Sequence, residues 1–238
     1  MMKRSRRIFW GLSLLLAIAC FTPIPVALAQ SAQTLFQTAY ENRYTWDEQF
    51  PGYRAEVSVN HEGNLAQGIV EVKPDLSVEV FNISDDDTRQ LVENQLKMEA
   101  IHRRRLAFEQ IHGQNRFELV GSSNSGSRIR EVGNSVDVYE VDNNTITQVN
   151  RTFGDVSVTV DTLGTTKTPQ GYLVLHFQTT YRTPKGEVLQ IEDVRDDHQK
   201  VSRYYILSSR EIRYTDKGNP ADKPTADIRL DFNDFQRL

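Results

Sequence analysis

The residue types that most often carry chemistry are scattered along this chain. Histidines stand at His61, His102, His112, His176 and His198, with no HxH or HExxH spacing, so a metal site would need distant residues to converge. His176 alternates with Tyr172, Val174 and Gln178 in a strand-like run and reads as a hydrogen-bonded structural histidine. Asp193, Asp196, Asp197 and His198 make the densest ionisable group, in the pattern of an acid–base or calcium cluster. Arg195 and Lys200 interleave them and the spacing fits no cation loop, so a solvated turn is expected there. GxSxG, the P-loop and GxGxxG are absent. No catalytic residue, cofactor or metal is assigned. Asn82-Ile83-Ser84, Asn143-Asn144-Thr145 and Asn150-Arg151-Thr152 are formal glycosylation sequons that matter only in a eukaryotic secretory route.

The first 29 residues read as an export signal. Lys3, Arg4, Arg6 and Arg7 precede an apolar run of 14 residues from Ile8 to Phe21, and Ala27-Leu28-Ala29 follows the helix breakers Pro23 and Pro25. Cleavage is expected after Ala29. The run is short of the ~18–20 residues that span a bilayer. Ser5-Arg6-Arg7-Ile8-Phe9 resembles the twin-arginine consensus, which leaves general secretory and twin-arginine export both open. Ala17-Ile18-Ala19-Cys20 is a loose lipobox, so a lipoprotein anchored at Cys20 is the alternative fate.

Cleavage at Ala29 leaves 209 of the 238 residues and removes the one cysteine. The mature chain can then form no disulfide and use no thiol nucleophile. With the four basic leader residues gone, 24 Lys+Arg face 32 Asp+Glu, a net charge of −8. That balance argues against nucleic acid or an anionic membrane surface as a bulk electrostatic partner. The length suits a single domain over residues 30–238.

The elements that would position any site are mostly strands. Residues 135–141, 145–153, 156–162, 171–181 and 187–194 alternate with period two, and a further run begins at Lys200. Asp142-Asn143-Asn144, Gly154-Asp155, Thr168-Pro169-Gln170-Gly171 and Pro184-Lys185-Gly186 supply the turns between them. Residues 200–214 are too long for one flat strand, and a bend is expected near Ser208-Ser209. Upstream, residues 31–43 read as an amphipathic helix with Leu35, Phe36, Ala39 and Tyr40 on one side. Strands are expected over residues 53–60, 65–73 and 76–83. Ser84, as N-cap to Asp85, Asp86 and Asp87, opens a second helix to about Arg105. Its apolar side is Leu91, Val92, Leu96, Met98, Ala100 and Ile101. His102, Arg103, Arg104 and Arg105 fall in its last turn, where cations complement the helix dipole or offer an anionic partner a docking spot. Residues 117–121 and 128–132 are expected strands around a flexible Ser122–Ser127 loop. A loop over 216–224 leads to a last strand with Ala226, Ile228, Leu230 and Phe232 on one face.

The fold expected is α+β, mainly β: a long antiparallel meander forming a curved sheet or unclosed barrel, with two helices against its concave face. Helix, three strands, helix and long meander resemble the element order of the lipoprotein carriers LolA and LolB. That resemblance implies an unclosed barrel covered by helices and holding acyl chains, although the helices can equally fill the concave face as a packed core. Phe50-Pro51-Gly52-Tyr53-Arg54-Ala55, Ile146-Thr147-Gln148-Val149-Asn150-Arg151 and Tyr204-Tyr205-Ile206-Leu207-Ser208-Ser209-Arg210 are similar to a family of exported or plastid-targeted proteins of cyanobacteria and plants whose function is unknown. The resemblance implies a periplasmic or thylakoid-lumen location and supplies no catalytic residue.

The expected function is therefore non-enzymatic binding of an apolar ligand such as a lipid, pigment or acyl chain. The walls would be Tyr53, Val57, Val59, Val158, Val160, Leu173, Leu175 and Phe177, with Leu96 and Ile101 from the second helix. The alternative is an assembly factor that docks a protein through Arg103, Arg104 and Arg105, or through Phe232 and Phe235 near the C-terminus.

Overall fold

The computed structural model describes residues 31–123, 126–133, 135–216 and 226–238. The leader and most of the 216–224 loop lie outside the described residues. The chain runs α1 (Ala32–Glu41), β1 (Tyr53–His61), β2 (Asn64–Val72), β3 (Val78–Phe81), α2 (Asp86–Arg103) and α3 (Phe108–Ile111). Nine strands follow: β4 (Arg116–Ser123), β5 (Gly126–Val132), β6 (Val136–Asp142), β7 (Thr145–Phe153), β8 (Val156–Thr168), β9 (Gly171–Arg182), β10 (Val188–Val201), β11 (Tyr204–Asp216) and β12 (Ala226–Arg237).

All twelve strands form one antiparallel sheet in the order β3-β2-β1-β12-β11-β10-β9-β8-β7-β6-β5-β4. The last strand returns to lie beside the first, so the sheet has β3 and β4 as its two edges and stays unclosed. The segment from α2 through α3 connects one edge to the other. Tight turns set the meander: Asn143 and Asn144 both adopt positive φ (46° and 59°) between β6 and β7, a conformation that asparagine tolerates better than most residues.

Two clusters fill the inner face. One joins β1, β2, β10, β11 and β12 to α2 through Val57, Val59, Val70, Leu96, Ile206, Ile212, Ile228 and Leu230. The other joins α1 and α3 to β5, β6 and β7 through Phe36, Ala39, Phe108, Ile129 and Tyr139. The segment after α1 crosses between them. Tyr44 N–H donates to the Tyr172 carbonyl at 2.7 Å, and Tyr172 N–H donates to the Asn42 carbonyl at 2.8 Å. Gly171 permits this crossing: a Cβ there would stand 2.2 Å from the Asn42 carbonyl oxygen.

Several local expectations are corrected by long-range pairing. The strand expected over 156–162 runs to Thr168, and the one over 187–194 runs to Val201, because their partners in β9 and β11 continue alongside. Lys200 therefore ends β10 rather than starting a strand, and Ser202, at φ 58°, makes the turn. The bend expected near Ser208-Ser209 is a β-bulge, with Asp197 opposite Ser209 and His198 opposite Leu207. Most of Ser122–Ser127 belongs to β4 and β5 rather than to a loop, its tip lying outside the described residues. α3 was not anticipated, being four residues long and thus too short for a periodic signal.

On α2 the N-cap is Asp85 rather than Ser84. Its Oδ2 accepts from Thr88 N–H at 2.8 Å, the reach of a residue three positions before the donor. Met98 and Ile101 face solvent, at 48% and 63% exposure. The buried stripe is instead Val92, Leu96, Glu99, Ala100 and Arg103. These keep the three- and four-residue spacing of one helix face, with two charged residues on it.

Candidate functional site

Directly opposed residues in an antiparallel sheet share a face, so the register lays out the inner surface row by row. One row is Ile129, Tyr139, Val149, Val160, Thr179, Glu192 and Tyr214. A second contains Glu131, Asp137, Arg151, Val158, Tyr181 and Gln190, with Asp137 and Arg151 joined by an ion pair. A third contains Thr162, Phe177, Val194, Ile212, Ile228 and His61.

Beneath α2 the inner face holds a buried ionic network. Arg210 binds Asp196 through two bonds, Nε to Oδ1 at 2.8 Å and Nη2 to Oδ2 at 2.6 Å, and reaches Glu99 Oε2 at 3.3 Å. Arg103 Nε donates to Glu99 Oε1 at 2.7 Å. His198 Nε2 lies 3.3 Å from Arg103 Nη2 and 3.4 Å from Glu99 Oε1. Burial pushes the Glu99 pKa up, but Arg103, the His198 bond and Arg210 outweigh it and hold the carboxyl well below its ordinary 4.5. Burial disfavours the Arg210 cation, and Asp196 and Glu99 more than reverse that. Asp193 and Asp197 point to the other face, where Asp193 pairs with His176 at 2.8 Å. The cluster expected as a solvated turn is thus split by strand alternation, and His176 has the structural hydrogen bond expected of it.

Glu99, Asp196 and His198 bring three potential ligand atoms within 4.8 Å of one another, the long-range convergence a metal would require. The donor set does not fit one. Two carboxylates are already balanced by two guanidiniums, so a divalent cation would leave a buried excess of positive charge. The Tyr53 hydroxyl and His198 Nδ1 are buried without a hydrogen-bond partner among the described residues.

Beneath α1 lies an aromatic cluster with a smaller polar core. Phe36 packs against Tyr139, His112 and Phe117 with ring centroids 4.3, 5.1 and 5.3 Å away. His112 Nδ1 is 2.6 Å from Glu131 Oε1, and the same carboxylate accepts from Asn115 Nδ2 at 2.6 Å and from the Tyr139 hydroxyl at 2.9 Å. Burial raises the Glu131 pKa, but these bonds bring it below the usual value. The arrangement is a carboxylate–histidine pair with no nucleophile in contact among the described residues.

Between the two helix-covered regions the sheet is only partly covered. α1 packs on β4, β6 and β7, and α2 on β2 and β3. On the inner face of β8 to β11, Val158, Val160, Thr162, Leu175, Phe177, Tyr181, Glu192 and Tyr214 are all half-buried. They line an apolar groove with one carboxyl in it. Burial raises the Glu192 pKa, partly opposed by the Tyr181 hydroxyl, which donates to Oε2 at 3.3 Å. Burial and the neighbouring Glu192 push the Tyr181 and Tyr214 phenols up to about 12. A separate depression of about 260 Å³ on the outer face, among Glu56, Ser58, Gln67, Ile69 and Asn233, is mainly polar.

The expected wall residues are distributed unevenly. Val158, Val160, Leu175 and Phe177 lie half-buried on the inner face of β8 and β9, and Leu175 and Phe177 also pack against the cluster beneath α2. Tyr53, Val57, Val59, Leu96 and Leu173 are fully buried in the cluster beneath α2. Ile101 points away from both. The basic spot is reduced as well: Arg103 is buried against Glu99, leaving Arg104 and Arg105 exposed. Phe232 is buried and Phe235 packs against the same cluster, so neither forms an exposed C-terminal patch. Sequence reading missed Glu192, Tyr181 and Tyr214. The signal available was the alternation of β9 and β10, which places Tyr181 and Glu192 on the same face as Phe177 and Val194.

Two solved structures are similar to this chain. A LolA superfamily protein from Nitrosomonas europaea is 11% identical, with 88% of this chain and 94% of that one covered and a TM-score of 0.37. A DUF1329 family protein from Desulfovibrio piger is 8% identical at the same coverages, with a TM-score of 0.32. No curated protein matches the sequence. The family model described as "Protein of unknown function (DUF3386)" matches residues 27–238, and the chain belongs to that family.

Proposed function

We propose that this is a non-catalytic binding protein which, exported and trimmed of its leader, carries an apolar molecule in the inner-face groove of β8 to β11. The observation that carries this reading is the contrast in burial. At both ends the inner face is packed under a helix, whereas Val158, Val160, Leu175 and Phe177 stay half-buried on adjacent strands. A contiguous apolar surface flanked by rigid packed walls is the usual form of a small-molecule site. No helix among the described residues is long and apolar enough to cross a membrane, and a protein exported to a periplasm or thylakoid lumen would take up lipid, pigment or acyl chains there.

The test uses residues 30–238 purified from a membrane-rich host and native mass spectrometry, followed by titration with the fluorescent apolar probe N-phenyl-1-naphthylamine. A co-purifying apolar ligand and saturable probe fluorescence are expected, both lost in Val160→Asp and Phe177→Asp variants that retain the wild-type circular dichroism. A ligand-free mass together with no saturable probe binding sinks the proposal.

A further inference from the structure

We propose, resting on the groove reading above, that Glu192 anchors the head of the bound molecule and selects a long-chain alcohol over a carboxylate of the same length. Glu192 stands in the middle of the groove, opposite Thr179 on β9 and Tyr214 on β11. Its hydrogen-bonding capacity is largely unspent. Oε2 accepts the Tyr181 hydroxyl at 3.3 Å, long for an O–H···O bond, whereas Glu99 and Glu131 are each held by at least three groups. A polar group on an apolar floor with free lone pairs is what fixes the orientation of an apolar ligand.

The charges on the surrounding rows decide which head fits. Of the residues named in the first two rows, the ionisable side chains besides the tyrosines are Glu131, Asp137, Arg151 and Glu192. Arg151 is committed to Asp137 at 3.1 Å and to the Tyr139 hydroxyl at 3.1 Å. An anionic head beside Glu192 would meet a like charge and, among those residues, no free counter-charge, a costly arrangement in a partly desolvated site. A hydroxyl suits Glu192 in either state, donating to the carboxylate or accepting from the carboxyl.

The experiment displaces N-phenyl-1-naphthylamine from the mature protein with dodecanol, dodecanoate or dodecylamine at pH 7.5, in wild type, Glu192→Gln and Glu192→Leu. Wild type should prefer dodecanol to dodecanoate by about tenfold, the effect of one uncompensated polar contact. Glu192→Gln, which keeps the hydrogen bonds without the charge, should bring dodecanoate to within about threefold of dodecanol. Glu192→Leu should weaken dodecanol relative to the probe. Equal affinities for dodecanol and dodecanoate in wild type, or a preference for dodecanoate, overturn the head-group assignment and leave the groove standing. Failure of wild type to bind the probe or any of the three chains overturns both readings.

Discussion

The two helix-covered regions of the inner face solve the same problem with different materials. Beneath α2, a mixed aliphatic and aromatic cluster surrounds Glu99, Arg103, Asp196 and Arg210, whose charges balance only while all four are present. Beneath α1 the packing is aromatic, and Glu131 is satisfied mainly by uncharged or titratable partners. Docking of α2 is therefore tied to electrostatic completeness, and docking of α1 to shape. The proposed groove lies between them, where side chains of β8 to β11 stay half-buried and Leu175, Phe177 and Tyr214 only border the cluster beneath α2.

The largest expected effect is at Arg210. Arg210→Ala strands Asp196 in a buried site and leaves Glu99 with Arg103 alone, and breaking a buried pair in this way costs about 3–5 kcal/mol. Trp46 is the one tryptophan of residues 30–238. It is buried, stacked on Phe50 at 4.1 Å and bonded to the Tyr205 carbonyl. Urea unfolding followed by its fluorescence should show the loss, with faster hydrogen exchange in α2 than in α1. A change below ~1 kcal/mol, the range of exposed pairs, would remove the basis of the comparison.

Acid provides a second, smaller contrast. Glu99 and Glu131 both have folded pKa values below the unfolded value, so each contributes stability fully present above about pH 4.5 and lost as pH falls through its folded pKa. Because Glu99 is held lower, its contribution persists to more acid pH. Hydrogen exchange between pH 5 and 3 should find α1 peptides loosening before α2 peptides, and the reverse order would show that the Arg103 and Arg210 contacts do not set the Glu99 pKa.

The smallest effect tests α1 alone. Ser31 Oγ accepts from Thr34 N–H at 3.1 Å as its N-cap. Ser31→Ala should cost about 1 kcal/mol, seen as increased exchange in the first turn of α1 with Trp46 fluorescence unchanged at low urea. An equal loosening of α2 would mean that the two regions are coupled.

Local chemistry explains how much of this was legible. Alternation in residues 145–153 and 171–181 located β7 and β9 almost to the residue, since each flanking turn carries its own asparagine, glycine or proline. Strand ends at Thr168 and Val201 were illegible because a neighbouring strand, rather than the segment itself, decides how far pairing continues. The site was half legible. Val158, Val160, Leu175 and Phe177 stood out as alternating apolar residues, whereas Glu192 and Tyr181 looked like any polar strand positions.

By itself the sequence determined that residues 31–238 are mainly a meander of half-buried strands with two amphipathic helices, because period-two and period-3.6 patterns are properties of neighbouring residues. Only the tertiary structure decided that β12 returns beside β1, that Glu99 meets Arg210 across 111 positions of chain, and that β8 to β11 are left partly uncovered. Those outcomes depend on which surfaces remain unpaired once every strand has found its neighbours, and no local window of sequence contains that information.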